Sequence, residues 1–216
     1  MGGEMRFKSR EHAAQQLIEK LTPNYLRQNP LVLGIPRGAV SMARVISDAL
    51  GGELDIVLVR KLSHPDQPEF AIGAIDETGQ AFLAEWSAEV DPQVVEAEKQ
   101  RQLKVLRERR ARYTPMREPI DAYDRIVIVV DDGIATGSTM TAALRAVRAR
   151  GARKLIAAVA VASPDAARAV LQECDSMVCL KVSASFFAVG QFFEDFSQVS
   201  DLDVIAALQR LSLIHI

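Results

Sequence analysis

The chain has 216 residues, of which 49% are hydrophobic and 25% are charged, and its formal net charge is −2. This balance suits one α/β domain with a full core, and the near-neutral charge gives no reason to expect a nucleic-acid partner. No apolar run reaches membrane-spanning length, no signal peptide opens the chain, and the two cysteines and three histidines form no metal or redox spacing. We therefore expect a cytoplasmic protein that has no membrane partner.

The first quarter of the chain predicts a helix, a strand and a second helix. Ser9 is a typical N-cap for a helix over residues 10–21, whose apolar positions recur on one face. Residues 31–35 form a short apolar run that predicts a buried strand, and residues 39–50 predict the helix that follows it.

The turn Pro36-Arg37-Gly38 separates that strand from the second helix. Open α/β sheets bind ligands beyond the carboxyl ends of their strands, which is where this turn is expected to lie. The turn can direct backbone N–H groups and one guanidinium at an anion, so Arg37 is a candidate anion-binding residue. The alternative is that Arg37 is a solvated loop arginine.

The following stretch predicts a strand, a loop and a hairpin. The strand covers residues 54–59 and ends in Arg60-Lys61, two cations that are either surface charges or part of a site. A polar loop marked by prolines follows at residues 63–68. Apolar runs at residues 70–75 and 80–84 are separated by turn residues and predict a β-hairpin.

A long basic helix is predicted from Pro92 to about Tyr113, with Asp91 as its cap. Its apolar stripe is thin and consists of Val95, Leu103, Leu106 and Tyr113. This pattern favours a solvated helix that leans on the domain or on a partner subunit, and a regulatory nucleic-acid surface is the alternative. Because the helix interrupts the alternation of strands and helices, we interpret residues 91–114 as an insertion.

The most informative stretch is residues 125–139, which read RIVIVVDDGIATGST. An unbroken run of β-branched residues at 126–130 predicts a strand buried on both faces, as in the centre of a parallel sheet. Asp131 and Asp132 follow at once, and then comes a loop of small and hydroxyl-bearing residues. A helix is predicted to begin near Ser138 and to stop at Gly151.

A strand, a small-residue loop and a helix N-terminus together form a geometry that binds phosphate, because the first helical N–H groups lack partners and the helix dipole favours an anion. The acidic pair would repel a phosphate, so it is expected to serve another part of the ligand. A ribose diol or a Mg²⁺ ion held by a diphosphate would fit. The alternative role for Asp131 and Asp132 is helix capping or turn formation.

Two better-known nucleotide sites fit this stretch less well. A P-loop needs a lysine after its second glycine, and no lysine lies between Arg125 and Thr139. A Rossmann fingerprint needs three glycines, and this loop has only Gly133 and Gly137.

The remaining elements continue the alternation of strands and helices. Residues 154–162 predict a buried strand, Ser163-Pro164 opens a helix to about Glu173, and residues 177–182 predict a further strand. This order implies right-handed crossovers and a mainly parallel sheet. Five of the eight phenylalanines then fall within residues 185–196, which suits either the stacking of a planar base or a hydrophobic plug.

The stretch Val129–Thr139, VVDDGIATGST, resembles the signature of the type I phosphoribosyltransferases, whose substrate is 5-phosphoribosyl-1-diphosphate (PRPP). The resemblance implies that Asp131 and Asp132 bind the ribose hydroxyls. It also implies that the loop after them holds the 5′-phosphate through Gly133, Ala135, Thr136, Gly137, Ser138 and Thr139.

The same resemblance implies roles for residues outside the signature. Pro36-Arg37-Gly38 corresponds to the diphosphate loop, Lys61 or Arg60 to a basic residue that reaches the diphosphate, and residues 63–68 to a mobile flap over bound PRPP. The implied catalytic residues are therefore Arg37, Lys61, Asp131 and Asp132.

The aromatic segment is similar to the Phe-Val-Val-Gly-Tyr-x-x-Asp stretch of hypoxanthine–guanine phosphoribosyltransferases. On this match Phe187 would stack on the base, and Glu194 would join Asp131 and Asp132 around Mg²⁺, in part through water. Those purine enzymes carry a lysine just after the strand equivalent to residues 154–162. This chain has none at Val161-Ala162-Ser163-Pro164, so a 6-oxopurine substrate is not expected.

The expected fold is thus an α/β domain over residues 1–210: a mainly parallel twisted sheet flanked by helices, with a core at about 30–182 and a small hood at about 1–25 and 183–200. The expected activity is transfer of 5-phosphoribosyl from PRPP to a small nitrogenous base, with Mg²⁺ as the cofactor and a homodimer as one assembly option. A non-catalytic PRPP-sensing or binding protein of the same fold is the alternative. Residues 211–216, LSLIHI, are interpreted as a non-native tail because a common sequencing adapter encodes them.

Overall fold

A computed structural model describes residues 6–64, 66–115 and 117–209, and its centre is a five-stranded parallel sheet. Its strands are β1 Leu31–Gly34, β2 Glu53–Ile56, β6 Ile126–Ile134, β7 Lys154–Ala162 and β8 Ser176–Val182. They run in the order β2-β1-β6-β7-β8, and each pair of neighbours is parallel. The predicted mainly parallel α/β sheet is therefore confirmed.

A second, antiparallel sheet has the order β3-β4-β5, with β3 at Val59–His64, β4 at Gln67–Asp76 and β5 at Ala81–Leu83. It lies between two helices, α3 at Pro92–Tyr113 and α4 at Ser138–Ala149, which both pack against β3 and β4. The helices of the described residues are α1 Arg10–Tyr25, α2 Ala39–Leu50, α3 Pro92–Tyr113, α4 Ser138–Ala149, α5 Pro164–Leu171 and α6 Asp201–Gln209, with 3₁₀ turns at Glu85–Glu89 and Val189–Phe192.

Strand β6 is the centre of the parallel sheet because both of its faces are apolar. Val127 and Val129 face a cluster formed with α4 and α5, whereas Ile128 and Val130 face a cluster formed with α1 and α2. All four of these side chains are fully buried. Burying each one stabilises the fold by about 1.5–3 kcal/mol, so the position of the strand end is determined by strong packing.

The strand predicted at residues 54–59 is two strands in the structure, and that prediction is wrong. Strand β2 ends at Ile56, and β3 begins at Val59 in the antiparallel sheet, where Val59 pairs with Asp76. Val57 packs in the central core, whereas Leu58 joins the cluster under α3. A continuous apolar run does not reveal that the chain passes from one hydrophobic cluster to another at this point.

The polar loop predicted at residues 63–68 is also shorter than expected. Strand β3 extends to His64 and β4 begins at Gln67, and these two residues are partners in the antiparallel pair. Pro65 lies outside the described residues. The predicted hairpin that follows is confirmed by the antiparallel pairing of β4 with β5.

Helix α1 is longer than predicted and belongs to the central layers. It runs through Pro23 to Tyr25, and its apolar face packs with α2 against β7 and β8. The segment before it reaches the residues expected in a hood, because Phe7 forms a β-bridge with Phe193, and Arg10 at the start of α1 donates to the carbonyl of Ser197. The hood at about 1–25 and 183–200 stays a prediction.

Helix α3 has the predicted bounds, and it leans on the domain. Asp91 caps it by accepting a hydrogen bond from the N–H of Gln93 at 2.8 Å. The predicted apolar stripe is buried in one cluster with side chains from the antiparallel sheet and α6. The members of the stripe are Val95, Leu103, Leu106 and Tyr113.

A buried ion network centred on Arg110 ties α3 to both sheets. The Arg110 guanidinium donates to Asp55 Oδ1 at 2.8 Å, to the carbonyl of Ile56 at 2.9 Å and to both Glu77 carboxylate oxygens at 2.5 Å. Burial alone would lower the pKa of Arg110, but the hydrogen bonds to Glu77 and the charge of Asp55 outweigh it and raise the pKa. Arg117 also donates to Asp55, at 3.0 Å.

Residues 211–216, interpreted above as a non-native tail, lie outside the described residues. Among the helices of the described part of the chain, none combines the length and the apolar character needed to cross a membrane.

Candidate functional site

The loop between β6 and α4 has the geometry of a phosphate cradle. Strand β6 runs to Ile134, which pairs with Ala162 of β7, so the acidic pair lies within the end of the strand. Helix α4 begins at Ser138, as predicted. Gly137 precedes it with φ of 78°, a left-handed conformation that favours glycine. Three residues therefore separate the carboxyl end of β6 from the amino end of α4.

The residues of this cradle share one cavity of about 210 Å³ with the first carboxylate of the acidic pair. Ile134, Met140 and Val189 complete its lining. The predicted phosphate-loop residues found in it are Gly133, Ala135, Thr136, Gly137, Ser138 and Thr139, together with Asp131. Val189 comes from the aromatic segment, and a Cβ on Gly133 would be 2.6 Å from its Cγ1. The aromatic segment thus closes one side of the cavity.

The two acidic side chains differ in their surroundings. Asp131 Oδ1 accepts a hydrogen bond from the backbone N–H of Asp132 at 2.9 Å. Burial raises the pKa of Asp131 well above its usual range, and the neighbouring charge of Asp132 raises it further. The ionised form of Asp131 is therefore held at an energetic cost, and perturbed groups of this kind are frequent at functional sites.

Arg10 forms an ion pair with Asp132 that the sequence analysis missed. Its Nε donates to Asp132 Oδ2 at 2.8 Å, and the two side chains are 14% and 13% exposed. No local pattern marks Arg10, since it lies 122 residues from Asp132 in the chain. The sequence signal for it was the acidic pair, because two adjacent, partly buried carboxylates need a nearby cation. The sequence does not identify which Lys or Arg provides that charge.

The predicted diphosphate loop lies directly against this ion pair. A Cβ on Gly38 would be 2.3 Å from Asp132 Oδ2 and 3.0 Å from Arg10 Nε, so the close approach requires glycine. The peptide bond between Pro36 and Arg37 is cis. The structure thus brings the turn at residues 36–38 and the acidic pair together at the carboxyl ends of β1 and β6.

The Arg37 side chain points toward a carboxylate outside the acidic pair, that of Asp201 at the start of α6. Its Nη1 lies 3.7 Å from Asp201 Oδ1. Asp201 also accepts hydrogen bonds from Tyr113 Oη at 2.7 Å and Arg112 Nη1 at 2.9 Å. Burial and the bond to Asp201 raise the pKa of Tyr113 to about 12. Arg37 therefore belongs to the turn beside the acidic pair, but its guanidinium is partly neutralised by Asp201 of the same chain.

Arg60 and Lys61 lie inside β3 and not at the end of a core strand, which corrects their predicted setting. They point to opposite faces of the strand, as successive residues do. Arg60 is near α3, and burial and then the charge of Arg109 lower its pKa. Lys61 is exposed on the other face, and its role at the diphosphate stays a prediction.

The aromatic segment divides into a buried part and one exposed ring. Phe192 and Phe193 are buried, and Phe186 and Phe196 pack against the same core, as expected for a hydrophobic plug. Phe187 is 91% exposed. Gln191 holds the turn around it by accepting the N–H of Phe187 at 2.8 Å. One ring of the five is therefore available for stacking.

The donor set for a metal ion is small. Within residues 6–64, 66–115 and 117–209, no group of three or more His, Cys, Asp or Glu side chains could hold an ion. Glu194 is exposed, and its backbone N–H donates to the carbonyl of Phe7 at 2.8 Å. Mg²⁺ commonly binds through one or two carboxylates together with substrate phosphates and water. Asp131 and Asp132 fit an ion that arrives with a diphosphate.

The fold and the site define an α/β domain whose acidic pair borders a phosphate cradle at the carboxyl ends of its parallel strands. A family model described as "Phosphoribosyl transferase domain" matches residues 6–195. The chain belongs to this family, the type I phosphoribosyltransferases.

Two curated relatives, from two strains of Mycobacterium tuberculosis, are each named "Putative phosphoribosyl transferase". Both are 39% identical over 207 residues, which is 94% of this chain and 46% of theirs. The chain therefore spans about half the length of these relatives. The crystal structure of TT1426 from Thermus thermophilus is similar over almost its whole length, with 44% identity, a TM-score of 0.86, and coverage of 94% of this chain and 98% of that one.

Proposed function

We propose that the chain transfers the 5-phosphoribosyl group of PRPP to a nitrogenous base and releases diphosphate. The observation that carries the proposal is that Asp131 and the amino end of α4 line one cavity. A phosphate and a neighbouring diol are the two groups that such a cavity would recognise, because the amides attract an anion and the carboxylates accept hydroxyl protons.

The hydrogen bonds of the acidic pair support binding of a diol. Asp131 Oδ1 and Asp132 Oδ2 are engaged by the Asp132 N–H and by Arg10. Within the described residues, Asp131 Oδ2 and Asp132 Oδ1 make no hydrogen bond that would occupy them. Two carboxylate oxygens thus match the two vicinal hydroxyls of a ribose.

The leaving group would lie on the side of the diphosphate loop. Cleavage of the C1–O bond develops positive charge on the ribose and negative charge on the diphosphate, so the protein must hold both ends and stabilise the departing charge. Arg37 would serve this from the turn after β1, and Gly38 of the same turn adjoins Asp132 of the acidic pair. Mg²⁺ bound through Asp131 and Asp132 would supply further positive charge to the diphosphate oxygens.

The acceptor would stack on Phe187, the exposed ring of the aromatic segment. At the position where purine salvage enzymes carry a lysine, Ser163 instead caps α5 by accepting the N–H of Ala166 at 3.1 Å, and its hydroxyl donates to the carbonyl of Ala135 at 2.7 Å. This use of the position supports an acceptor other than a 6-oxopurine.

The proposal is tested by incubating the chain with Mg²⁺ and PRPP and a panel of purine, pyrimidine and pyridine bases, while diphosphate release is followed. We expect release that depends on one class of base, with little release from the 6-oxopurines. PRPP binding without release under any base would select the non-catalytic sensor instead. Release at the same rate without any base would show hydrolysis, and would contradict the transferase assignment.

A further inference from the structure

We propose that Arg10 is a positioning residue of the site, which holds the Asp132 carboxylate so that its second oxygen faces the ribose. This inference rests on the proposed function and assigns a role to a residue outside the signature and outside the diphosphate loop. Arg10 is the first residue of α1, directly after the cap residue Ser9.

Three contacts fix the Arg10 side chain. Its Nε donates to Asp132 Oδ2 at 2.8 Å, its Nη1 donates to the carbonyl of Ser197 at 2.8 Å, and its guanidinium carbon lies 3.8 Å from the centre of the Phe196 ring. A guanidinium is planar and carries its donors in a rigid fork, so these contacts together set its orientation. The orientation of Asp132 follows, because one of its oxygens is bound to this fork.

The ion pair also determines how an anionic substrate meets the acidic pair. PRPP carries a phosphate and a diphosphate, and both would be repelled by two adjacent carboxylates. Arg10 offsets one of these negative charges in a setting where both partners are largely shielded from solvent. Interactions between charges are stronger in such a setting than at an open surface.

The pair further connects the ribose end of the site with the diphosphate end. Gly38 packs over it so closely that a Cβ would overlap Asp132 Oδ2. A displaced Asp132 would therefore push on the diphosphate loop as well as lose a ribose hydroxyl. Small displacements of groups that orient a substrate reduce turnover by as much as about a hundredfold.

The chain offers a matched control at the opposite end of the sheet. Arg125, directly before β6, pairs with Glu53 at 2.6 Å and donates to the carbonyl of Asn29 at 3.1 Å, so it also joins one carboxylate and one carbonyl. It lies at the amino end of β6, away from the cavity. Arg125→Ala removes a comparable set of contacts and is expected to leave PRPP turnover unchanged.

The experiment compares the wild type, Arg10→Ala, Arg10→Lys and Arg125→Ala in Mg-PRPP binding by calorimetry and in steady-state kinetics. We expect Arg10→Ala to lower kcat/KM for PRPP by about a hundredfold, with the loss shared between kcat and KM. We expect Arg10→Lys to fall between Arg10→Ala and the wild type, because an ammonium restores the charge without the fork. Low millimolar guanidinium is expected to restore part of the activity of Arg10→Ala.

Failure of this inference can be told apart from failure of the proposed function. If wild-type protein does not bind Mg-PRPP, both are wrong. If the wild type binds and turns over PRPP and the folded Arg10→Ala variant does so equally well, only the role of Arg10 is overturned. If Arg10→Ala does not fold, Arg10→Lys decides, and wild-type kinetics in that variant would overturn the role. Equal losses in Arg10→Ala and Arg125→Ala would show that Arg10 is merely structural.

Discussion

Replacing both Asp131 and Asp132 by asparagine is expected to abolish phosphoribosyl transfer while the domain stays folded. Each amide is close in shape to the carboxylate it replaces, but it lacks the charge that would stabilise a cationic ribose and hold Mg²⁺. Loss of a single pre-organised electrostatic group commonly costs about a hundredfold or more in kcat, and here two are lost. Steady-state diphosphate release measures the effect.

The control in this experiment is the stability of the double variant, measured by thermal unfolding. The expected change in stability follows in part from the raised pKa of Asp131. Because this folded-state pKa lies above the unfolded value, ionisation of Asp131 lowers the free energy of unfolding as pH rises from the usual carboxyl range through the raised pKa. Asparagine removes this penalty, while Arg10 loses its charged partner. We therefore expect the melting temperature at neutral pH to change little. Wild-type turnover in the double variant would show that the acidic pair has no catalytic role.

Arg110→Met is expected to cause a large loss of stability although Arg110 lies outside the site. It leaves Asp55 and Glu77, which are 2% and 8% exposed, without their main counter-charge. Breaking a buried ion pair by removing one partner costs about 3–5 kcal/mol, which corresponds to a fall in melting temperature of roughly 6–20 °C for a domain of this size. Thermal unfolding followed by circular dichroism measures it.

Two further variants separate this explanation from a general effect of losing an arginine. Arg145→Met removes a pair with Glu173 in which Arg145 is 46% exposed, and it should cost at most about 1 kcal/mol. Arg110→Met combined with Glu77→Met should be less destabilised than Arg110→Met alone, since one buried charge is removed with its partner. Similar losses in Arg110→Met and Arg145→Met would contradict the buried network.

The elements that local patterns specify were predictable from the sequence. The β-branched run of β6, the caps at Ser9, Asp91 and Ser163, and the stripe of α3 all follow from the chemistry of neighbouring residues, and the structure confirms them. The strand–loop–helix geometry proposed to bind phosphate was predictable for the same reason, because its three parts lie within fifteen consecutive positions, 125–139.

The parts that the sequence did not reveal depend on contacts between distant segments. Arg10 and Asp132 are 122 residues apart, and Tyr113 and Asp201 are 88 residues apart. Periodicity gives no information about which of the 26 Lys and Arg residues meets a given carboxylate. The sequence also did not reveal that Val57 and Leu58 pack in two different hydrophobic clusters. Both residues are apolar, so their side chains do not indicate which sheet each one packs against.

The most direct test of the central claim is an NMR titration of the ¹⁵N-labelled chain with Mg-PRPP. The claim is that the 5′-phosphate binds at the amino end of α4 and that the ribose diol binds Asp131 and Asp132. We expect the largest shifts in the backbone amide signals of residues 135–139, with further changes at Arg37, at Gly38 and at residues 131–133. Saturating Mg-PRPP that left the amides of residues 135–139 unmoved, or that shifted signals only elsewhere, would contradict the claim.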